Sequence, residues 1–322
     1  MIGKRIFLSV FVLFFVLTSG TNGWAQGFPT KTIRMINPYA SGGGGSTLAR
    51  AFQTPFKNVL GTSVIVEDIP GGTTKIGTLE VMKANPDGYT LLFMADPAWV
   101  GYYYSKTYDF KPWEKLTAVG NLTVEPYGFI EIRSDAPYGS WAELVKYGKE
   151  NPGKLTCGGP GAGGVPELIF NMITKAAGIS GKYVPFAGAG PSKTALLGGH
   201  IDFRVCQHTE AISMIRAGKT KGIAISSDKR MEILPNVPTF KELGIGESII
   251  LTRSIWGPPQ LPSSIVNILA AAIAKGIKDP EFIKVAEQGL FYKTEFRLGP
   301  RMIEELEKFD KTFGPQLAAL YE

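Results

Sequence analysis

The sequence predicts an α/β protein made of two successive units, each with a mixed, mostly parallel sheet flanked by helices. Short apolar runs alternate with amphipathic stretches along most of the 322 residues, which is typical of parallel strands joined by crossover helices. The alternation occurs twice, and in each set the first strand runs into a glycine-rich turn that opens a helix. An apolar content of 44% and a charged content of 19% agree with a globular chain.

The N-terminus, residues 1–25, is predicted to be a cleaved secretory signal. Lys4 and Arg5 precede an apolar run of about twelve residues, shorter than the roughly 20 that span a bilayer. Gly23 and Ala25 then stand at the two small-residue positions that a signal peptidase reads. A buried core helix is the alternative. We expect an exported, soluble chain that begins near Gln26.

The first unit is predicted from five segments. Its strands are TIRMINP, SVIVEDIP and YTLLFMA, and its second helix is GTLEVMKAN. Its first helix is STLARAFQTPFKNVLG, capped by Ser46 and stopped at Gly61.

The second unit follows the segment KLTAVGNLTVEPYGFIEIR. Its predicted helices are WAELVKYGKENP, VPELIFNMITKAAG, GPSKTALLGG and TEAISMIRAG, and its strands are KLTCG, GKYVPF, HIDFRVC and TKGIAISS. From IILTRSIWGPP onward, we expect one more strand, two or three helices and the short strand LFYKTEF.

Two glycine-rich turns are the candidate binding elements, YASGGGGS in the first unit and GGPGAGGVP in the second. Glycine is costly to order, so a run of four indicates that a partner must approach the bare backbone. The helix that follows offers unpaired N–H groups and a partial positive charge, which suit a carboxylate or a phosphate. Since ligands of open α/β sheets bind beyond the carboxyl ends of the strands, two such turns facing each other would form one cleft. A further turn, DIPGGTTKIG, places Thr73 and Thr74 as either ligand contacts or ordinary turn residues.

Other classes of site find little support in the sequence. No G-x-G-x-x-G stands in a suitable context, and RAGKT lacks the leading glycine and the preceding strand of a phosphate-binding loop. The two histidines, His200 and His208, lack metal-ligand spacing, and no serine stands in a G-x-S-x-G turn. The net charge of +6, which falls to about +4 without Lys4 and Arg5, is spread along the chain and argues against nucleic acid as partner. We therefore predict no metal, no cofactor and no enzymatic activity.

The sequence contains two cysteines, Cys157 and Cys206. In an oxidising compartment such a pair forms either a disulfide or two buried free thiols. A nucleophilic Cys157 assisted by His208 is the enzymatic alternative.

The chain resembles the Bug receptors, the periplasmic solute-binding proteins of tripartite tricarboxylate transporters. The resemblance lies in the order of six segments: FPTKTIRMINPYASGGGGSTLAR, VIVEDIPGGTTKIGT, NPDGYTLLF, NPGKLTCGGPGAGG, YVPFAGAGPSKTALLGGHIDF and IRAGKTKGIAISSDKRMEILPNVPTFKELG. It covers nearly the whole mature chain, from Phe28 to about Leu320. It implies a two-domain periplasmic binding protein (type II-like, a Venus flytrap) that closes on a small carboxylate in the cleft between its domains.

The resemblance also implies the ligand-binding positions, which lie in the loops 39–47, 70–77, 158–165 and 186–191, at the strand end near 206–207 and in 254–257. The candidate residues are Tyr39, Ser41, Gly43, Gly44, Gly45, Ser46, Thr47, Gly72, Thr73, Thr74, Gly159, Gly161, Gly163, Gly164, Phe186, Gly188, Ala189, Cys206, Gln207 and Trp256.

Several positions depart from the family pattern. Many relatives carry an acidic residue where Ser46 stands, which meets the amine of an amino-acid ligand, so Ser46 favours other acids. Gly159 and Pro160 replace serines, which makes the second-unit side of the pocket less polar. Arg204 lies either at an edge or surface position or in contact with the ligand. The implied strand order would bring Cys157 and Cys206 to the cleft floor.

Together with the residues, the resemblance implies a monomeric periplasmic receptor for a small organic anion, which it would hand to the large and small membrane subunits of a transporter. Domain 1 is expected to comprise 26–125 and 248–322, and domain 2 to comprise 126–247. The alternative is a periplasmic sensor that presents the bound carboxylate to a signalling partner.

Overall fold

The computed structural model describes residues 27–41, 44–162, 164–290 and 292–321. The predicted signal peptide, the mature start at Gln26 and the candidate residues Gly43 and Gly163 lie outside the described residues. Within the described part, no helix combines the length and the apolar character that crossing a membrane requires.

The described residues form helices and strands in the alternation that the sequence predicts. The strands are β1 (Ile33–Asn37), β2 (Val64–Asp68), β3 (Thr90–Ala95), β4 (Thr117–Pro126), β5 (Phe129–Arg133), β6 (Leu155–Pro160), β7 (Gly181–Phe186), β8 (Phe203–Cys206), β9 (Thr220–Ile225), β10 (Ile250–Gly257) and β11 (Lys293–Thr294). The helices are α1 (Gly44–Leu60), α2 (Lys75–Met82), α3 (Ala98–Tyr104), α4 (Pro112–Lys115), α5 (Trp141–Glu150), α6 (Val165–Ala177), α7 (Ala189–Leu197), α8 (His208–Arg216), α9 (Ser263–Gly276), α10 (Pro280–Ile283), a π-helical turn (Lys284–Gly289) and α11 (Gly299–Ala318).

The first sheet has six strands in the order β11-β4-β10-β3-β1-β2. β1 pairs in parallel with β2 and β3, whereas β10 is antiparallel to both β3 and β4, and β11 is antiparallel to β4. Four of the strands, β1 to β4, therefore run in one direction. The strand β10 lies in the middle of this sheet although it follows the whole second unit in sequence.

The second sheet has five strands in the order β7-β6-β8-β5-β9. β6 is parallel to β7 and β8, and β5 is antiparallel to β8 and β9. All strands except β5 thus share one direction. Both sheets are mixed and mostly parallel, so the predicted α/β class is confirmed.

Alternating apolar side chains give the first sheet two buried faces. Met35, Leu91 and Phe93 belong to a cluster beneath α1 and α9, whereas Ile36 and Leu92 point to the opposite face. This two-residue period is what a strand buried on both sides requires. The cluster on the opposite face continues into the second sheet, so the two units share one apolar core.

Helix α1 is held against the first sheet by one apolar stripe. Leu48, Phe52 and Phe56 recur at helical spacing and are fully buried. A Cβ at Gly276 of α9 would lie 3.0 Å from the Phe52 ring, so glycine there allows the two helices to approach closely. This packing fixes the N-terminus of α1 over the end of β1.

The structure corrects the predicted start of this helix. Helix α1 begins at Gly44, so Ser46 lies in its first turn and is not the N-cap. The Oγ atom of Ser46 instead faces the carboxylate of Asp68, at 3.4 Å from each oxygen. The short helices α3 and α4 between β3 and β4 were also not expected, because their aromatic-rich sequence lacks a clear helical period.

The two sheets are linked where the chain crosses between them. The chain leaves the first sheet at Pro126, enters the second at Phe129 and returns at Ile250. At this crossing the N–H of Tyr127 donates to the carbonyl of Ile249 at 2.8 Å. The division into domains 26–125 with 248–322 and 126–247 follows the membership of the two sheets and stays a prediction.

Candidate functional site

A cavity of about 760 Å³ lies between the two sheets. Its volume is in the range of small-molecule sites. Both predicted glycine-rich turns line it, and so do residues from β3, β10 and the N-terminal ends of several helices. The predicted site residues that line it are Tyr39, Gly44, Gly45, Thr73, Gly161, Gly164, Phe186, Ala189 and Gln207.

The other described candidates lie outside this lining. Trp256 and Cys206 are buried behind the wall, and the hydroxyl of Thr74 is engaged with that of Tyr108 at 3.0 Å. The remaining candidates outside the lining are Ser41, Ser46, Thr47, Gly72, Gly159 and Gly188. For all candidates, contact with a ligand stays a prediction.

Four helices begin at the cavity wall. Gly44 and Gly45 open α1, Gly164 and Val165 open α6, Ala189 opens α7, and Gln207 directly precedes α8. The first turn of a helix presents N–H groups without intrahelical partners and carries a partial positive charge. Four such ends around one cavity favour an anionic group within it.

The glycines of the first turn allow close packing on one side of the cavity. A Cβ at Gly44 would stand 2.7 Å from the hydroxyl oxygen of Tyr292, and one at Gly45 would stand 3.2 Å from Nη1 of Arg253. Larger residues would push the helix end away from these two side chains. The glycines therefore keep bare backbone beside a guanidinium, as the sequence led us to expect of an element that meets a ligand.

Arg253 is a cavity-lining cation that the sequence interpretation missed. It is only 6% exposed and pairs with Glu125 of β4, with Nε at 3.0 Å and Nη2 at 2.9 Å from Oε1. Burial raises the pKa of the Glu125 carboxyl, even though Arg253 opposes that shift. The available signal was a single basic residue within the otherwise uncharged strand ILTRSIWG.

Arg204 is neither an edge nor a surface residue. It is fully buried on β8, which lies inside the second sheet between β6 and β5. Its Nε donates to Oε2 of Glu131 at 2.5 Å, and its Nη1 lies 3.3 Å from both Oε2 of Glu210 and the carbonyl of Ala189. Arg204 thus stands directly behind the cavity wall formed by Glu210 and Ala189.

Gln207 connects the two sheets across the cavity. Its Nε2 donates to Oε1 of Glu125 at 3.3 Å, and its Oε1 accepts from the hydroxyl of Tyr292 at 3.4 Å. The residue itself directly precedes α8 on the second-sheet side. One amide from the second-sheet side therefore has two partners on the first-sheet side, Glu125 and Tyr292.

The Ser46 region is occupied by a separate polar cluster around Asp68. This carboxylate accepts from Ser41 at 2.6 Å, from Asn37 at 2.7 Å and from Arg50 at 2.5 Å. Partial burial raises the pKa of Asp68, but these three hydrogen bonds together hold it below its ordinary value. The acid beside Ser46 is thus already neutralised by Arg50.

Of the two alternatives for the cysteine pair, the structure has the second, because both Cys157 and Cys206 are buried free thiols. The expected neighbouring strands are present, but the register places Cys157 opposite Phe203 of β8. Cys206 lies three residues further along, about 10 Å at the rise of a strand, beyond the roughly 7 Å Cα separation that a bridge allows. Burial raises the pKa of both thiols well above its ordinary value, which opposes a nucleophilic role for Cys157.

Asp96 is a fully buried carboxyl on the rear of the same wall. Its Oδ2 accepts from Thr252 at 2.9 Å and from Ser254 at 2.5 Å, and its Oδ1 accepts from Nε1 of Trp256 at 2.8 Å. Burial raises the pKa of Asp96 to about 7, although these hydrogen bonds and Arg253 act in the opposite direction.

We predict that Asp96 makes the folded chain lose stability as the pH rises. Its pKa is raised from an ordinary value of 3.8, so between these two values the folded state keeps a proton that the unfolded state has released. From pH 5 to pH 8 the free energy of unfolding of the wild type should fall by roughly 2 kcal/mol more than that of Asp96→Asn. Urea unfolding at several pH values measures this difference. The exposed Asp228→Asn should keep the wild-type slope, and parallel slopes for wild type and Asp96→Asn would contradict the assignment.

The described residues contain no cluster of three or more His, Cys, Asp or Glu side chains able to hold a metal ion. The polar groups that line the cavity are amides, hydroxyls, the Arg253 guanidinium and the Glu210 carboxylate.

Comparison with known proteins identifies the family. The family profile described as tripartite tricarboxylate transporter family receptor, TctC, matches residues 48–295. The chain belongs to the TctC receptor family. The resemblance to Bug receptors that the sequence suggested is thus confirmed.

Relatives and solved structures of TctC type match over most of their length. A UPF0065 protein of Agrobacterium vitis, encoded in the TAR-I ttuE-ttuC' intergenic region, is 32% identical over 260 residues, which cover 80% of this chain and 74% of the relative. A TctC solute-binding protein from Polaromonas has a TM-score of 0.75 at 27% identity, covering 91% of this chain and 98% of that one. The periplasmic binding protein BugD gives a TM-score of 0.75 at 28% identity, with 91% and 97% covered. These TctC-type neighbours are solute-binding proteins, and they share the two-sheet fold described above.

Proposed function

We propose that this chain captures a small organic anion, a carboxylate, in the cavity between its sheets and delivers it to the large and small membrane subunits of a tripartite tricarboxylate-type transporter. The observation that carries the proposal is the ring of four helix N-termini around a cavity that also contains the Arg253 guanidinium. Membership of the TctC family supports the transport role, since the family is described as a transporter receptor.

In this proposal, recognition takes place by closure of two domains, 26–125 with 248–322 and 126–247. The ligand carboxylate accepts hydrogen bonds from the N–H groups near Gly45 and Gly164, and such charge-assisted bonds are strong. A ligand that touches both sides of the cavity shifts the population toward the closed arrangement. Gln207, which already reaches from the second-sheet side to Glu125 and Tyr292 on the first-sheet side, would form part of the closed interface.

The remaining features of the proposal follow the sequence interpretation. The chain acts in the periplasm as a monomer, uses no cofactor and catalyses no reaction. The sensor alternative shares the same binding chemistry. Genes for the two membrane subunits beside the gene for this chain would favour transport over sensing.

We predict that one or more carboxylates will raise the melting temperature of the mature protein. A ligand at 100 times its dissociation constant stabilises the folded state by about 2.7 kcal/mol, which for a chain of this size shifts the melting temperature by roughly 5 °C. Thermal unfolding against a panel of dicarboxylates, tricarboxylates, aromatic acids, amino acids and inorganic anions measures the shift.

Gly164→Leu is designed to fill the cavity without straining the backbone. Gly164 has φ −88° and ψ −175°, which any residue adopts, and a Cβ there would have its nearest neighbour at 3.5 Å. The variant should fold and lose the ligand-induced shift. Gly139→Leu, at an exposed position outside the cavity, should keep it. A shift that survives Gly164→Leu would place the ligand elsewhere, and a flat response of the wild type to every carboxylate would overturn the proposed ligand class.

A further inference from the structure

The charged side chains in and behind the cavity wall do not all form one-to-one ion pairs. Arg253 is matched by Glu125, and Arg204 is matched by Glu131, each pair being almost or fully buried. Glu210 is a fifth charged group and has no guanidinium of its own, because its contact at 3.3 Å is with Nη1 of the Arg204 that Glu131 already holds at 2.5 Å. Among these five groups one carboxylate is therefore in excess.

Glu210 is also the member of this set that reaches into the cavity from the second-sheet side. It lies in the first turn of α8, lines the cavity wall and keeps 27% of its side chain exposed, whereas Arg204 behind it has none exposed. Lys193 of α7 is a further cation in the neighbourhood, but it forms no salt bridge with Glu210 within 4.0 Å. Tyr127, Gln207 and Phe186 share the lining with Glu210.

This arrangement is unfavourable for a ligand with carboxylates at both ends. One end would meet the N–H groups of the helix α1 turn beside Arg253, but the other would share the cavity with the Glu210 carboxylate, and like charges in a desolvated site repel strongly. Arg204 offers no relief, since Glu131 and Glu210 hold it behind the wall. A positively charged group at the same place would instead complete the charge balance.

Resting on the proposed function, we propose that Glu210 selects cargo that carries an amine as well as a carboxylate. The carboxylate of such an amino acid lies at the helix N-termini near Gly45, and its ammonium donates to Glu210. The acid close to Ser46 cannot take this role, because Asp68 lies outside the cavity lining and is paired with Arg50. Tyr127, which lines the same cavity, is a further aromatic neighbour for an ammonium group.

Matched pairs of ligands that differ only in the amine test this proposal. Isothermal titration calorimetry would compare aspartate with succinate, glutamate with glutarate, and phenylalanine with 3-phenylpropanoate. In at least one pair, the amino acid should bind the wild-type protein about 10- to 100-fold more tightly, the ratio expected for a charge-assisted hydrogen bond.

Glu210→Gln should reduce that preference to a few-fold or reverse it, because the amide removes the charge but keeps the size. Glu232→Gln, which removes an acid from an exposed position outside the cavity, is the matched control and should keep the wild-type preference. If Glu210→Gln does not fold, tighter wild-type binding of the amine-free member of every pair still overturns the inference.

Three results would overturn the inference. The first is tighter binding of the amine-free member of every pair to the wild-type protein. The second is an amino-acid preference that Glu210→Gln leaves unchanged. The third is uptake of a proton by the wild type on binding a dicarboxylate, seen as a buffer-dependent enthalpy that Glu210→Gln abolishes. In the first and third cases the proposed capture of a carboxylate still stands, whereas no binding of any carboxylate overturns both.

Discussion

Replacing Arg253 with methionine is expected to destabilise the folded chain by about 3–5 kcal/mol, the usual cost of leaving a buried charge without its partner. Glu125 is 1% exposed, and Arg253 is the cation that it contacts through both Nε and Nη2. Urea unfolding at pH 8 measures the loss. The loss should shrink at low pH, because burial already raises the pKa of Glu125 and the lone carboxyl can then take up a proton.

Two further variants separate the ion pair from simple loss of packing. Arg253→Met combined with Glu125→Gln should recover much of the stability, since the second change removes the unpaired charge. Arg230→Met breaks an exposed ion pair with Glu242 and should cost less than about 1 kcal/mol. Equal losses for Arg253→Met and Arg230→Met would show that the buried pair contributes no more to the free energy of unfolding than the exposed pair does.

Replacing Trp256 with alanine is expected to cost about 3–5 kcal/mol, in the range for deleting a large aromatic side chain from a core. The indole is fully buried, and its ring centroid lies 5.0 Å from that of Trp99 in an edge-to-face arrangement. Its Nε1–H donates a hydrogen bond to Asp96. Trp256→Phe keeps much of the packing but leaves Asp96 without one donor, so it should cost about 1–3 kcal/mol. Both losses are read from urea unfolding curves.

The same variants test the predicted role of Trp256 as a wall of the ligand site. Because Trp256 lies outside the cavity lining, Trp256→Phe should leave ligand affinity within about twofold of the wild type. Trp141→Ala, at the partly buried start of α5, should cost less stability than Trp256→Ala. A large loss of ligand affinity in Trp256→Phe would indicate that Trp256 contacts the ligand.

The sequence predicted the alternation of strands and helices because each element carries a local signal. The strand that contains Met35 and Ile36 is mostly buried, and helix α6 ends where Gly178 adopts a left-handed conformation with φ 61°. The glycine-rich turns could be located for the same reason. That both turns would line one cavity could also be predicted, because ligands of open α/β sheets bind at the carboxyl ends of the strands.

The electrostatic part of the site could not be predicted, because it depends on contacts distant in the chain. Arg253 and Glu125 are 128 residues apart and meet only because β10 pairs with β4. The state of the two cysteines could not be predicted for a similar reason. Adjacency of two strands can be inferred from a family order, but the register that offsets Cys157 from Cys206 is set by the packing of the whole sheet.

The central position of β10 has a consequence for how the chain folds. All strands of the second sheet lie between residues 129 and 225. In the first sheet, β3 and β4 are joined only through β10, which begins at Ile250. Contacts between such distant segments form slowly, because a long loop must close before they contribute. We therefore expect the second sheet to gain protection from hydrogen exchange first during refolding. Chains truncated before Ile250 lack both β10 and β11, so they should expose one edge of β3 and both edges of β4 and aggregate.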